Sequence, residues 1–245
     1  MFAYPAEVYL IIALIAVVQS IIGVGVLIFG TPLLLILGYE YMEVITILAP
    51  ISLSLSLITW FKYRIAVELD RNYLLFPITI FCGLFFSTYL SQFILNILIG
   101  LVLIILGVYG IIVNSKNKQP KRNYAISQIY KTFLTQTVAL IHGFSNQGGS
   151  LLVVIASIIH DEKFARRANI AFVYGYMAIV QILSILIIDS SLFINLFNPL
   201  LIVIAIIIFY LVDILFVRLR HKYYNNIISY SIVFFGILLT TNQLL

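Results

Sequence analysis

Two apolar stretches interrupted by glycine decide the fold of this chain. They read Ile22-Gly-Val-Gly-Val-Leu-Ile-Phe-Gly-Thr-Pro-Leu-Leu-Leu-Ile36 and Ile141-His-Gly-Phe-Ser-Asn-Gln-Gly-Gly-Ser-Leu-Leu-Val-Val-Ile155. Each stands near the start of one half of the sequence, and three ordinary apolar segments follow it. Hydrophobic segments broken by Gly or Pro at corresponding positions of two halves are typical of the binding region of a transporter. The pairing therefore predicts two repeats, each beginning with a broken helix.

The composition predicts an integral membrane protein. Of 245 residues, 63% are hydrophobic and 9% are charged, whereas a soluble domain carries about 25% charged residues. The mean hydropathy is +1.14. The net charge of +5 does not indicate nucleic-acid binding, because the basic residues lie in short loops between apolar segments. A single cysteine, Cys82, excludes a disulfide framework and a cysteine-based metal site. We expect a lipid bilayer around the chain, no nucleic-acid partner, and no metal or other cofactor.

Six apolar segments are candidates to cross a bilayer, which takes about 20 residues, although the last is short and must be extended by its polar flanks. The segments cover residues 42–60, 73–90, 93–113, 169–188, 199–217 and 227–241. The two interrupted stretches, residues 8–38 and 129–160, are each too long for one crossing and too short for two. A hydrophilic linker at residues 114–127 separates a first membrane repeat, 1–113, from a second, 128–245.

The basic residues predict how the second interrupted stretch meets the membrane. All Lys and Arg residues except Lys131 lie in four loops, after residues 60, 113, 160 and 217. If every apolar element crossed once, seven of these thirteen charges would face one side and six the other. That division would remove the usual excess of Lys and Arg on the cytoplasmic side. If residues 129–160 instead enter and leave on one side, all thirteen charges share a face, so we predict a re-entrant hairpin.

The first interrupted stretch has no flanking basic residue, so its assignment comes from likeness to the second. Gly30-Thr-Pro-Leu-Leu34 matches Gly149-Ser-Leu-Leu-Val153 position by position. We therefore predict an all-α polytopic membrane protein of two inverted repeats, each a broken, re-entrant hairpin followed by three transmembrane helices. Both termini would then lie on the non-cytoplasmic side of the inner membrane. The sequence leaves open whether the first stretch re-enters or crosses once, and whether the chain forms a homodimer.

The breaks also predict a binding site for a small anion. Thr31 and Ser150 each follow glycine and precede an apolar run, so we expect them at helix N-caps, with Pro32 opening the first helix. Helix starts inside the membrane present unpaired N–H groups and a positive dipole end, which together attract anions. The competing interpretation is that the glycines only allow close helix packing. The predicted substrate-binding residues are Gly23, Gly25, Gly30, Thr31, Ser145, Asn146, Gln147, Gly148, Gly149 and Ser150.

Other polar residues near the membrane have two interpretations each. His142 and Gln19 flank the breaks and are candidates for proton coupling or gating. A neutral His142 bonded to a backbone carbonyl freed by the break is an equally good explanation. We expect Asp213 to pair with Arg218 or to reach the interface rather than to couple protons. We expect Arg166-Arg167 to set the topology, with an anion vestibule as the lesser alternative.

These motifs resemble those of the sulfite exporter TauE/SafE family over essentially the whole chain. The first half carries Gly23-Val-Gly25, Thr31-Pro-Leu-Leu34 and Leu37-Gly38. The second half carries Gly143-Phe-Ser-Asn-Gln-Gly-Gly149, followed by Arg166-Arg-Ala-Asn169. The resemblance implies export or uptake of sulfite, organosulfonates or related small anions across the inner membrane.

Three functions are consistent with these features. A secondary transporter of small anions, with the anion bound at the membrane midplane by the two helix starts, is the one that the residues favour. An uncoupled anion channel of the same architecture is the alternative. A membrane-embedded enzyme is disfavoured, because the sequence contains no nucleophile–base pair and no metal-ligand spacing.

Overall fold

The computed structural model describes residues 4–22, 25–63, 71–115, 128–159, 162–214 and 221–244. Within these ranges the chain is helical and contains no strand, which confirms the predicted all-α membrane class. A 3-10 helix, Arg71–Leu75, precedes α4. The α-helices are α1 Ala6–Ile22, α2 Val26–Ile36, α3 Tyr41–Tyr63, α4 Phe76–Ser87, α5 Gln92–Ser115, α6 Gln128–Ser145, α7 Gly148–Ile159, α8 Lys163–Ile188, α9 Ser190–Leu196, α10 Pro199–Val212 and α11 His221–Leu244.

Three of the described helices are long and apolar enough to cross a membrane: α3, α5 and α8. A fourth span is formed if α9 and α10, which meet at an angle of 60°, count together. The bend follows from the sequence, because Asn198 caps α10 through a 3.0 Å bond from the Leu200 N–H and Pro199 opens the helix. The predicted segment 73–90 is divided between the 3-10 helix and the short α4.

Both interrupted stretches are broken helices, as predicted. The first break lies between the end of α1 at Ile22 and the start of α2 at Val26, and Gly25 is the N-cap. The second lies at Asn146 and Gln147, between α6 and α7. Asn146 has a φ of 60°, in the left-handed region that asparagine tolerates better than most residues. Gly148 is needed beside it, because a Cβ there would overlap the Val138 carbonyl.

The predicted N-caps are wrong at both breaks. Thr31 and Pro32 lie inside α2, which begins five residues before Thr31. Ser150 is the third residue of α7, and its N–H bonds to the Gln147 carbonyl at 3.0 Å. Gly30 and Gly149, which align in sequence, therefore occupy different positions in their helices: Gly30 lies in the second turn of α2 and Gly149 in the first turn of α7. Pro32 has no N–H, so the Ile28 carbonyl inside α2 has no intrahelical donor.

Glycines let several helix pairs approach closely. The contacting pairs that bear on the site are α3 with α8, α5 with α11, α1 with α10, α4 with α6, α2 with α11 and α5 with α7. A Cβ on Gly236 of α11 would lie 2.8 Å from the Gly100 carbonyl of α5. A Cβ on Gly83 of α4 would lie 2.9 Å from the Leu140 carbonyl of α6. Small residues at such contacts are typical of membrane helices.

Contacts between loops identify the two ends of the bundle. At one end, the Tyr4 hydroxyl donates to the Leu196 carbonyl at 2.6 Å. Burial, followed by the nearby Tyr39 and Glu43, raises the pKa of Tyr4. The start of α1 and the end of α2 therefore lie close together. At the other end of α3, Lys62 contacts Asp213, which brings the ends of α3 and α10 together.

A buried polar site at the helix breaks

One face of α8 is polar although the helix lies in an apolar protein. Arg167, Tyr174 and Gln181 are spaced seven residues apart, which places them on the same side of the helix. All three are buried. The polar row therefore runs through the interior, from the first turns of α8 toward the second break.

The second break is joined to α2 and α8 by the Asn146 side chain. Its Nδ2 donates to Thr31 Oγ1 at 2.9 Å, and its Oδ1 accepts from Gln181 Nε2 at 3.1 Å. Gln147 Nε2 donates to the Leu27 carbonyl of α2 at 3.4 Å. These four polar side chains are all fully buried. The two broken hairpins thus meet through polar groups instead of apolar ones.

The first break is closed from within its own hairpin. Gln19 of α1 accepts the Val26 N–H through Oε1 at 3.1 Å and so caps α2. A Cβ on Gly25 would lie 2.9 Å from the Gln19 backbone nitrogen, so glycine allows α2 to start directly against α1. The role of Gln19 among the described contacts is therefore that of a helix cap.

Several buried polar atoms at the start of α7 have no hydrogen-bond partner among the described residues. They are Gln147 Oε1, Ser150 Oγ, Tyr174 OH and Gln181 Oε1. The Tyr174 hydroxyl lies directly against Gly149, where any Cβ would overlap it. Leaving such a group unsatisfied costs about 1–3 kcal/mol, so a cluster of them calls for an explanation. A polar ligand at the start of α7 would satisfy these groups.

A second buried cluster lies at the basic end of α8. Arg167 donates to the Ser20 carbonyl at 3.0 Å and to the Tyr63 hydroxyl at 3.2 Å. Its guanidinium also forms an ion pair with Asp213 at 2.6 Å. Asp213 is fully buried and contacts Lys62 as well. The cluster joins α1, α3, α8 and the end of α10.

Comparison with known proteins places the chain in a family. The family model described as sulfite exporter TauE/SafE matches residues 8–239. This chain belongs to the TauE/SafE family. The match contains both breaks and both polar clusters, and the family is one of membrane transporters of the sulfite-exporter type. A search of curated proteins and a search of solved structures each found no match.

The structure of this TauE/SafE member gathers most of the predicted binding residues. Thr31, Asn146 and Gln147 are in mutual reach, and Gly148, Gly149 and Ser150 form the first turn of α7. Gly30 instead faces the apolar core, where a Cβ would lie 3.0 Å from Ile15 and Leu48 side chains. Gly23 lies outside the described residues.

Of the remaining predicted positions, Ser145 and Gly25 have local structural roles, whereas neither ring nitrogen of the buried His142 has a hydrogen-bond partner among the described residues. Ser145 Oγ donates to the Ile141 carbonyl at 2.7 Å and accepts from the Gln147 N–H at 3.3 Å. Gly25 forms the start of α2. His142 is buried, and its ring stands 6.1 Å from the Tyr174 ring, centroid to centroid.

The structure adds internal contacts to two expectations about charged residues in this TauE/SafE protein. Arg167 is buried, with only 1% of it exposed. The reason is helical phase: α8 begins at Lys163, so Arg167 lies in its second turn on the inward face. Asp213 pairs with Arg167 and Lys62, and its expected partner Arg218 lies outside the described residues. Lys62 and Arg167 lie far from Asp213 along the chain, so nothing in the sequence indicates that they are its partners.

Three side chains at the breaks were missed from the sequence: Tyr174, Gln181 and Tyr41. Tyr41 donates from its hydroxyl to the Gly143 carbonyl at 3.1 Å and so steadies the end of α6. The sequence does contain a pattern from which Tyr174 and Gln181 could have been identified. The seven-residue spacing of Arg167, Tyr174 and Gln181 in an apolar segment indicates one polar helix face, which is costly in lipid unless buried.

Proposed function

We propose that this TauE/SafE member is a secondary transporter of small anions such as sulfite or organosulfonates, and that the anion binds at the second helix break. The observation that carries the proposal is the group of buried, unpartnered polar atoms at the start of α7, above all Ser150 Oγ and Tyr174 OH. Buried polar groups without protein partners are expected where a ligand supplies them.

The chemistry of the site suits an anion. The first N–H groups of α7 have no intrahelical partners, and the positive end of the helix dipole lies with them. Ser150 and Tyr174 add hydroxyl donors, and Gly149, which has no Cβ, lets the Tyr174 hydroxyl lie directly against the start of α7. An oxoanion would therefore be held by neutral donors and a helix start, without a lysine in the site. The Nε2 groups of Gln147 and Gln181 already donate to Leu27, His142 and Asn146, so these two side chains would hold the wall of the site and leave anion binding to the hydroxyl and N–H donors.

The proposed architecture is two inverted repeats, residues 1–113 and 128–245, joined by the linker 114–127. The helix contacts support it, because exchanging the two halves reproduces them. The partner of α1 is α10 and that of α6 is α4; likewise α2 contacts α11 and α7 contacts α5. The pairs α3–α8 and α5–α11 each join corresponding helices. A two-fold relation between halves would produce this pattern.

The proposed hairpins are supported by the contacts at the two ends of the bundle. If each of eight elements crossed the membrane once, Lys62 would face the side opposite to Arg167 and Asp213. Lys62 instead contacts Asp213. The direct packing of α1 against α2 supports re-entry of the first stretch as well. With the basic face in the cytoplasm, both termini would lie on the non-cytoplasmic side of the inner membrane.

Flux through purified protein in proteoliposomes tests the proposal. The substrates to compare are sulfite, methanesulfonate, sulfate and acetate, with and without a proton gradient. We expect saturable flux of sulfite or methanesulfonate that responds to the gradient. Non-saturating flux driven only by voltage would identify the channel alternative instead. No flux of any of these anions, from protein with normal insertion, would contradict the proposal.

A further inference from the structure

The buried charge cluster at the basic end of the bundle has no role in the proposed site. Arg167 and Asp213 have side chains that are each 1% exposed, whereas the Lys62 side chain is 44% exposed. Burying an ion pair removes two charges from water, and an apolar pair of similar size is often as stable. Stability alone is therefore a weak reason for this cluster.

The position of Arg167 connects the cluster to the helix breaks. Its guanidinium holds the Ser20 carbonyl, two residues before the end of α1, and so stands directly beside the first break. Tyr174 lies seven residues further along the same face of α8, which is about 10 Å of helix. The guanidinium is thus a buried cation on the basic side of the proposed binding site, on the same face of α8 as Tyr174.

Asp213 faces two cations in the described part of the chain. The charged and titratable groups that face it there are Lys62 and Tyr63 of α3 and Arg167 of α8. Arg167 therefore shares the Asp213 carboxylate with Lys62. The guanidinium also packs over the rings of Tyr63 and Phe209, at 5.1 and 5.7 Å from their centroids. A rigid, flanked guanidinium is suited to bidentate binding of an oxoanion.

We propose that Arg167 is an anion-binding residue on the basic side of the transport path, and that Asp213 is an internal competitor for it. This inference rests on the proposed function. When Asp213 holds Arg167, the guanidinium ties α1 to α3 and α10 and closes the path to the breaks. When a small oxoanion such as sulfite or a sulfonate takes the guanidinium, the carboxylate is released toward Lys62. The bonds from Arg167 to Ser20 of α1 and Tyr63 of α3, which join the two halves of the chain, then loosen, and the anion gains access to the site.

The test measures binding of sulfite and methanesulfonate by calorimetry, and flux, for protein in lipid nanodiscs and liposomes. Asp213→Asn removes the competitor and keeps the cation, so we expect about tenfold tighter binding with slower turnover, within the usual range of coupling between sites. Arg167→Gln combined with Asp213→Asn removes both charges at once, so neither charge of the ion pair remains buried without the other. We expect this variant to unfold at a temperature close to that of the wild type and to lose binding and flux at least about tenfold.

Two further variants separate this role from a structural one. Arg167→Asp with Asp213→Arg restores an ion pair but places a carboxylate on α8, so we expect flux to stay lost. Lys163→Gln removes one positive charge from the start of the same helix and should leave affinity within about twofold. Wild-type binding in the neutral double variant, or wild-type flux in the charge-swapped one, would overturn the role of Arg167 alone. Absence of binding and flux in the wild type would overturn the proposed function with it.

Discussion

The two helix breaks are built differently. The first is a glycine break that its own hairpin closes, with Gln19 capping α2 and Gly25 giving the clearance. The second is a polar break, in which Asn146 takes a left-handed conformation and bonds to α2 and α8. Unpartnered polar atoms gather around the second break. Matching breaks therefore need not share chemistry: contacts within the hairpin close the first, and the second carries the unpartnered polar groups on which the proposed site rests.

The largest expected effect separates the two hairpins through a pair of glycines. A methyl group on Gly149 would overlap the Tyr174 ring and hydroxyl, whereas one on Gly30 meets only flexible tips of Ile15 and Leu48 at 3.0 Å. We expect Gly149→Ala to abolish flux and to cost about 1–3 kcal/mol of stability through overpacking. Gly30→Ala should keep most of the flux. Proteoliposome flux at matched protein incorporation measures both; equal flux in the two variants would show that the breaks are equivalent.

A smaller effect is expected from the polar residue of each break. Asn146→Gly keeps the left-handed backbone but removes the amide, which leaves Thr31 and Gln181 without that buried partner. We expect a stability loss of about 1–3 kcal/mol together with a raised KM for sulfite. The matched variant Gln19→Leu removes a cap, costing about 1 kcal/mol, with an unchanged KM. If Gln19→Leu shifted KM and Asn146→Gly did not, the assignment of chemistry to the second break would be reversed.

The smallest effects are expected from substituting two hydroxyl side chains, Thr31 and Ser150, which distinguish a structural hydroxyl from one that binds the anion. Thr31 Oγ1 accepts a bond from Asn146, so Thr31→Val should lower the free energy of unfolding by about 1 kcal/mol. Ser150 Oγ has no partner among the described residues, so Ser150→Ala removes an unsatisfied group and should not lower that free energy. Anion affinity should nevertheless fall several-fold in Ser150→Ala. Thermal unfolding and calorimetric titration with sulfite measure the two quantities, and unchanged affinity in Ser150→Ala would remove Ser150 from the site.

The sequence predicted the parts of the fold that depend on local composition. The apolar segments, the two breaks and the glycine-rich starts are properties of short stretches, and the helices follow them. The N-caps were misplaced because helix α2 begins directly after Gly25 and continues through Thr31-Pro32. A proline that suits a helix start was therefore found in a helix interior, beside a carbonyl with no intrahelical donor.

The contacts that join the halves could not be predicted in the same way. Arg167 meets Ser20, Tyr63 and Asp213 only because α1, α3 and α10 pack around α8. Tyr174 reaches Gly149 for the same reason. Such partners are set by tertiary packing between segments far apart in the chain. The seven-residue spacing of polar residues on α8 was the available signal. It indicates that one face of the helix is buried, but it does not identify the helices that pack against that face.

Locating a bound anion is the most direct test of whether the anion binds at the second helix break. Selenite is a heavier oxoanion of the same shape class as sulfite, and its selenium atom can be located by anomalous X-ray scattering from crystals of the protein grown in lipid. The account predicts a peak at the start of α7, within hydrogen-bonding reach of Ser150 Oγ, Tyr174 OH and the Gly149 N–H. The peak should vanish in Gly149→Ala crystals. A selenite peak at the first break, with none at the second, would contradict the account.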